Sequence, residues 1–155
     1  MRHGFTLVHY STDYVYDGTV EEHVEDEPAG PLGVYGQSKA AGDAAVATAP
    51  RHYVVRTSWV VGEGPNFVRT LVRLADEGAA PAVVDDQVGR LTFADELARA
   101  SRHLVQTCAP YGTYHVSNGG EPMSWADVAR EVFALRGRDP ADVRLHLAAR
   151  REQPR

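Results

Sequence analysis

Lysine is almost absent from this chain: of sixteen Lys and Arg residues, fifteen are arginine and one, Lys39, is lysine. Cysteine is likewise down to one residue, Cys108, which excludes an internal disulfide framework and a cysteine-rich metal site. Cys108 reads as a small residue near a helix end. The seven histidines are scattered, with no His-x-x-x-His or other ligand spacing, so no metal is expected. No apolar run approaches the ~20 residues of a membrane-spanning helix, and no signal-peptide pattern opens the chain. The expectation is therefore a cytoplasmic protein with no membrane partner. A net charge of −5, with no basic run beyond Arg150-Arg151, argues against a nucleic-acid partner.

What remains is a 155-residue chain, 43% hydrophobic and 24% charged, long enough for one domain with a sizeable core. The lone lysine stands out within it. In Val34-Tyr35-Gly36-Gln37-Ser38-Lys39, a tyrosine and a lysine lie four apart on an expected helix, hence on one face. A cation beside a phenol favours the phenolate and makes the tyrosine a usable proton donor and acceptor. A lysine in a chain that otherwise uses arginine marks a position needing a compact ammonium rather than a planar guanidinium. The spacing alone is equally that of two ordinary helix-surface residues.

Phe5–Tyr10 reads as a buried strand, followed by Ser11-Thr12-Asp13-Tyr14-Val15-Tyr16-Asp17-Gly18 where a parallel strand would end. Ligands of open α/β sheets bind just beyond such carboxyl ends. The same residues also suit plain Asx-type turn chemistry. An acidic loop from Glu21 to Pro31 precedes a helix expected over Val34–Ala49, stopped by Pro50. A second strand, His52–Ser58, ends in Trp59-Val60-Val61-Gly62, where Trp59 is either a core aromatic or a pocket wall. Asn66–Glu77 has Phe67, Leu71 and Leu74 at helical spacing, and Ala82–Val84 is a short strand before a polar turn over Asp85–Arg90. Thr92 is expected to cap a helix over Phe93–Thr107, with Leu97, Ala100 and Leu104 inward. Gly112–Val116 reads as a strand. Ser124 is expected to cap a helix to Arg136 with Trp125, Val128, Val132 and Leu135 inward, Val143–Leu147 to form a last strand, and Arg150–Arg155 to be a disordered or shortened tail.

In this order and at these spacings, the chain resembles the later part of an extended short-chain dehydrogenase/reductase, and more narrowly the dTDP-4-dehydrorhamnose reductase family. Tyr35-x-x-x-Lys39 marks the superfamily. Ser11-Thr12-Asp13-Tyr14 and Arg56-Thr57-Ser58-Trp59 narrow it, and Asn66-Phe67, Asp86-Gln87-Val88-Gly89 and Gly112-Thr113-Tyr114-His115 continue the match across roughly residues 5 to 135. The resemblance implies an α/β fold, the C-terminal part of a Rossmann-like doubly wound parallel sheet plus a small α/β substrate-binding region. It divides the chain into residues 1–62, carrying the catalytic Thr/Tyr/Lys set, and residues 63–155, mainly substrate-binding, within one compact unit.

The resemblance also implies an activity: NADPH- or NADH-dependent reduction of the C4 keto group of a dTDP-4-keto-6-deoxysugar. By position, Tyr35 would protonate the carbonyl oxygen, Lys39 would hold the nicotinamide ribose and tune the phenol, and Thr12 would share the oxygen site. Tyr35, Lys39, Ser58 and Val60 would line the cofactor. Thr12, Asp13, Trp59, Gln87 and Arg90 would meet the substrate. The family's proline-threonine after the glycine is Leu91-Thr92 here, which departs from its pattern.

A larger departure is the Gly-x-x-Gly-x-x-Gly turn of such reductases, which the chain does not contain; Gly62-Glu63-Gly64 has no third glycine at the right spacing. The expectation is that a segment precedes Met1 or that the chain self-associates through an exposed sheet edge, and that alone it is an incomplete enzyme. A non-catalytic binding subunit, similar to the regulatory subunit of methionine adenosyltransferase, is the alternative from another class.

Overall fold

The computed structural model describes residues 4–20 and 22–146. In chain order they form β1 (Leu7–Thr12), a 3-10 turn (Asp13–Val15), α1 (Val34–Ala47), β2 (His52–Thr57), β3 (Val60–Val61) and α2 (Phe67–Asp76). There follow β4 (Ala82–Val84), β5 (Val88–Gly89), β6 (Thr92–Phe93), α3 (Ala94–Gln106), β7 (Gly112–His115), β8 (Met123–Ser124), α4 (Trp125–Leu135), a second 3-10 turn (Pro140–Asp142) and β9 (Arg144–His146). They divide into two compact units: Met1–Val60 with Thr92–Asn118, and Val61–Leu91 with Gly119–Arg155.

The first unit is built on a parallel sheet of order β1-β2-β7, with Leu7 opposite His52, Thr12 opposite Thr57, and Tyr53 opposite Gly112. Alternation along the strands sends side chains to two faces. One face carries Tyr53 and Val55, packed with Leu97 and Leu104 of α3 and with Val8 and Tyr114. The Tyr10 hydroxyl donates to Ser101 of α3 on that side (2.9 Å). The other face carries His9 and Arg56, both of which reach Asp43 of α1. Helices thus cover both faces of a parallel sheet, the doubly wound arrangement expected from the sequence.

In the second unit α2 packs on α4, β4 pairs with β9 in parallel, and β5 pairs antiparallel with β8. Val61, Leu71, Ala75, Val83, Ala126, Val128, Ala129, Val132, Phe133 and Val143 are its buried core, and Phe67 meets Trp125 edge to face at 4.6 Å. Ser124 caps α4 as the sequence predicts: its hydroxyl accepts from Asp127 N–H while the Asp127 carboxylate accepts from Ser124 N–H, a reciprocal capping box.

Several local expectations are corrected. The first strand is Leu7–Thr12 rather than Phe5–Tyr10; Phe5 is exposed, and the strand runs on through the two hydroxyl residues because Ser11 and Thr12 pair with Arg56 and Thr57. Thr92 does not cap α3. Its N–H bonds the Trp59 carbonyl (3.1 Å), its side chain is buried, and Phe93 takes the cap position without a side-chain bond. Leu135 is 83% exposed and Phe133 is fully buried. The buried residues of α4 are 126, 128, 129, 132 and 133, with Trp125 half-buried beside them, and position 135 falls about 200° of helix rotation past 133. The turn over Asp85–Arg90 contains β5, and the last strand is Arg144–His146. Leu147 and the tail Arg150–Arg155 lie outside the described residues.

Candidate active site

The residues of interest in the first unit gather at the carboxyl ends of β1 and β2. Thr12, the last residue of β1, is buried; its Oγ1 accepts from Tyr14 N–H (3.2 Å) and donates to Asp13 Oδ1 (3.1 Å). Those two bonds turn the chain out of the strand and into the 3-10 turn, where Thr12 serves as N-cap. Partial loss of solvation in the turn pushes the Asp13 carboxyl up, against the lowering pull of the Thr12 hydroxyl and of backbone N–H groups. Asp13 still presents surface to solvent, which screens the effect.

Helix α1 docks onto this turn through a glycine. A Cβ built on Gly36 would lie 2.1 Å from the Tyr14 carbonyl oxygen and 2.9 Å from Pro31 Cβ, so only glycine lets the helix come this close. The approach sets Tyr35 beside the turn: the Tyr35 and Tyr14 rings meet edge to face, 6.1 Å between centroids. Tyr35 keeps 59% of its surface exposed, leaving its hydroxyl reachable by a ligand. One helical turn on, Lys39 Nζ donates to the Tyr10 carbonyl of β1 (2.5 Å), which pins the ammonium at the strand's end.

Trp59 closes the group from β2. It has φ +40°, a left-handed conformation that costs a tryptophan on the order of 1–3 kcal/mol. Its side chain hydrogen-bonds Tyr14, and because an indole only donates, the Tyr14 oxygen accepts. Burial pushes the Tyr14 phenol up, the Asp13 carboxylate adds to this, and the Trp59 bond opposes it. Ser58 is half-buried and Val60 exposed on either side of Trp59. Thr12, Asp13, Tyr35 and Trp59 are thus all tied together by Tyr14. The Ser-Thr-Asp-Tyr motif contained that tyrosine, yet nothing in its spacing marked it as the hub, because the hub forms only when α1 and β2 converge on it.

Gln87 and Arg90 belong to the second unit. Gln87 is exposed before β5, while Arg90 is half-buried and donates through Nε to the Gly120 carbonyl (2.9 Å). Among the described residues no group of three or more His, Cys, Asp or Glu could hold a metal, and no helix is long and apolar enough to cross a membrane.

A parallel sheet with helices on both faces, and hydroxyl and ammonium groups at its strands' carboxyl ends, defines a Rossmann-like α/β protein. Residues 1–154 match the model of the RmlD substrate binding domain, and the chain belongs to that family. It is 42% identical to the dTDP-4-dehydrorhamnose reductase of Streptomyces griseus, covering 98% of this chain and 54% of that protein. It is also 42% identical to the dTDP-4-keto-6-deoxy-D-glucose reductase of Streptomyces niveus, over 89% of this chain and 49% of that one. Among solved structures, the dTDP-4-dehydrorhamnose reductase of Bacillus anthracis in complex with NADP superposes with TM-score 0.84 at 37% identity, covering 95% of this chain and 52% of that one. The chain spans about half the length of the curated relatives it matches.

Proposed function

We propose that these residues carry the catalytic and substrate-binding part of an NAD(P)H-dependent reductase that acts on the C4 keto group of a dTDP-4-keto-6-deoxysugar. The observation that carries this is the gathering of Thr12, Tyr35 and Trp59 around Tyr14, with Lys39 pinned on the neighbouring strand end. The donor set fits the nicotinamide-ribose end of the cofactor: Lys39 offers an ammonium and Tyr35 an exposed hydroxyl, with Ser58 and Val60 beside them. No glycine-rich turn for the pyrophosphate exists in this sequence. A reduced nicotinamide supplies the hydride.

The chain's own residues handle the proton and the charge. As hydride reaches C4, the carbonyl π pair moves onto oxygen, and the Tyr35 hydroxyl gives that oxygen its proton. Thr12 contributes a second donor once its hydroxyl turns from Asp13 Oδ1 to the same oxygen. Lys39 stabilises the phenolate left behind, and the exposed phenol regains its proton from solvent. Within the first unit Asp13 and Trp59 would contact the deoxysugar nucleotide; within the second, Gln87 and Arg90 are the candidates for a substrate role. The first unit so takes the cofactor-proximal role and the second mainly the substrate role.

In the longest natural reading frame containing this chain, NADPH or NADH should be consumed only with a dTDP-4-keto-6-deoxysugar. Tyr35→Phe should lower kcat/KM by roughly a hundred- to ten-thousand-fold. Turnover that survives this change rejects the assignment; no turnover at all, with one partner co-purifying stoichiometrically, points to a binding subunit.

The sheet also bears on partners. Among the described residues β1 pairs only with β2, so its other side is an edge with unpaired backbone groups, near exposed Phe5 and Tyr10. This supports pairing of that edge with another strand, from further sequence or from a second copy. Size-exclusion chromatography of the 155-residue chain should give species larger than a monomer; a clean, well-folded monomer rejects it.

A further inference from the structure

Helix α1 carries Tyr35 and Lys39 but has almost no apolar stripe; its two buried residues are Gly36 and Asp43. Asp43 lies two turns beyond Gly36 on the same face. Its carboxylate accepts from Arg56 Nε of β2 at 3.0 Å, with the two side chains 8% and 10% exposed. His9 Nε2 of β1 stands 3.3 Å from the other carboxylate oxygen, out of line for a hydrogen bond. Another edge of the Arg56 guanidinium serves different partners. Its Nη1 donates to the Tyr16 hydroxyl and to the Glu25 carbonyl (3.3 Å), and the group also lies over the Tyr16 ring, 5.1 Å from its centroid. Tyr16 is the residue directly after the 3-10 turn, and its hydroxyl is held further by the Val24 carbonyl and His115 Nε2, both 2.9 Å away.

One planar guanidinium therefore joins the helix bearing the phenol and the ammonium to the segment that leaves the Thr12–Asp13–Tyr14 turn. We propose that Arg56 is a positioning residue for the reaction: it fixes α1 in register with the turn, using Asp43 as its hold on the helix and Tyr16, directly after the turn, and the Glu25 carbonyl of the following loop as its holds on the other side. The inference rests on the reductase reading for its kinetic consequence only. Lysine could keep the charge opposite Asp43, but a single ammonium lacks the rigid fork that reaches both ways. Proton transfer from Tyr35 and donation from Thr12 must converge on one oxygen, so a shift of about 1 Å between helix and turn can cost on the order of a hundredfold in rate.

The test uses the longest natural reading frame, with Arg56→Lys, Tyr16→Phe and Asp43→Asn as variants and Arg73→Lys, an exposed pair with Glu77, as control. Tyr16→Phe is the mildest, since it keeps the ring and removes only the hydroxyl that links Arg56 to the turn. Arg56→Lys should lower kcat by about tenfold or more with KM changed by less than about twofold, and Asp43→Glu should recover more activity than Asp43→Asn. Independently of turnover, the NOE between the Tyr35 and Tyr14 rings should weaken in Arg56→Lys and Tyr16→Phe while circular dichroism stays that of the parent. Folded variants with parental kcat, or with an unchanged Tyr35–Tyr14 NOE, overturn the positioning role. A parent protein with no turnover overturns the reductase reading alone, and the NOE then decides the positioning role by itself.

Discussion

Helices α1 and α4 are held in opposite ways. Helix α4 sinks Ala126, Val128, Ala129, Val132 and Phe133 into the core of the second unit, a conventional apolar stripe. Helix α1 buries a glycine and an aspartate; it is held by a close approach of Gly36 to the Tyr14 carbonyl of the turn, and on the sheet by an ammonium on the Tyr10 carbonyl and the Asp43–Arg56 ion pair. Apolar packing is strong and tolerant of small shifts, whereas hydrogen bonds and ion pairs are directional. The helix proposed to carry the chemistry is thus the one whose position is specified by direction, and the other is held by bulk.

Substitution should separate the two modes. Phe133→Ala empties a fully buried site and should cost about 3–5 kcal/mol in urea unfolding. At temperatures where the variant stays folded, the Tyr35–Tyr14 contact and turnover should change little. Gly36→Ala should do the reverse. The new Cβ meets the Tyr14 carbonyl oxygen at 2.1 Å, and neither the Cβ nor that backbone atom can swing aside, so the helix must back away. Its stability cost should be smaller, about 1–3 kcal/mol, partly offset by the roughly 1 kcal/mol helix preference of Ala over Gly. Turnover should nevertheless fall by on the order of a hundredfold. Equal losses of stability and equal losses of turnover in the two variants would erase the distinction.

The same contrast explains how far the sequence could be read. Helix α4 was legible in outline because Ser124 and the spaced apolar residues are local signals, although Leu135 was placed on the wrong side of the period. The site was legible in part through residues with a chemical signature, above all the lone lysine. Tyr14, Gly36 and Asp43 were not, since their roles arise from contacts between segments far apart in the chain. Thr92 shows the converse failure. A threonine before an apolar-periodic run is a normal cap signal, but here its N–H is taken by the Trp59 carbonyl and the cap moves one residue on. The break of the chain into two units, with Thr92–Asn118 returning to the first, likewise left no mark in composition.

The smallest expected effect is a pH dependence seated in the cluster around Arg56. Burial lowers the His115 pKa from 6.5; the Arg56 charge adds to this, and the Glu25 carboxylate, which also accepts the His115 backbone N–H (3.1 Å), opposes it. The ring faces the Tyr16 hydroxyl and the His23 backbone, while Asp13 also feels its charge. A histidine whose folded pKa lies below its unfolded value binds fewer protons when folded. Stability is then full above 6.5 and falls as pH drops from there to the folded pKa, below which the loss is constant. The Glu25 carboxyl is depressed by the His115 N–H, and both Glu25 and Asp13 feel the His115 charge, so the difference between parent and variant reads the ring together with its coupling to these two carboxylates. Urea unfolding at about pH 7.5 and about pH 5.5 should show the parent losing more stability on acidification than His115→Gln. An identical loss in the two proteins removes His115 from the account.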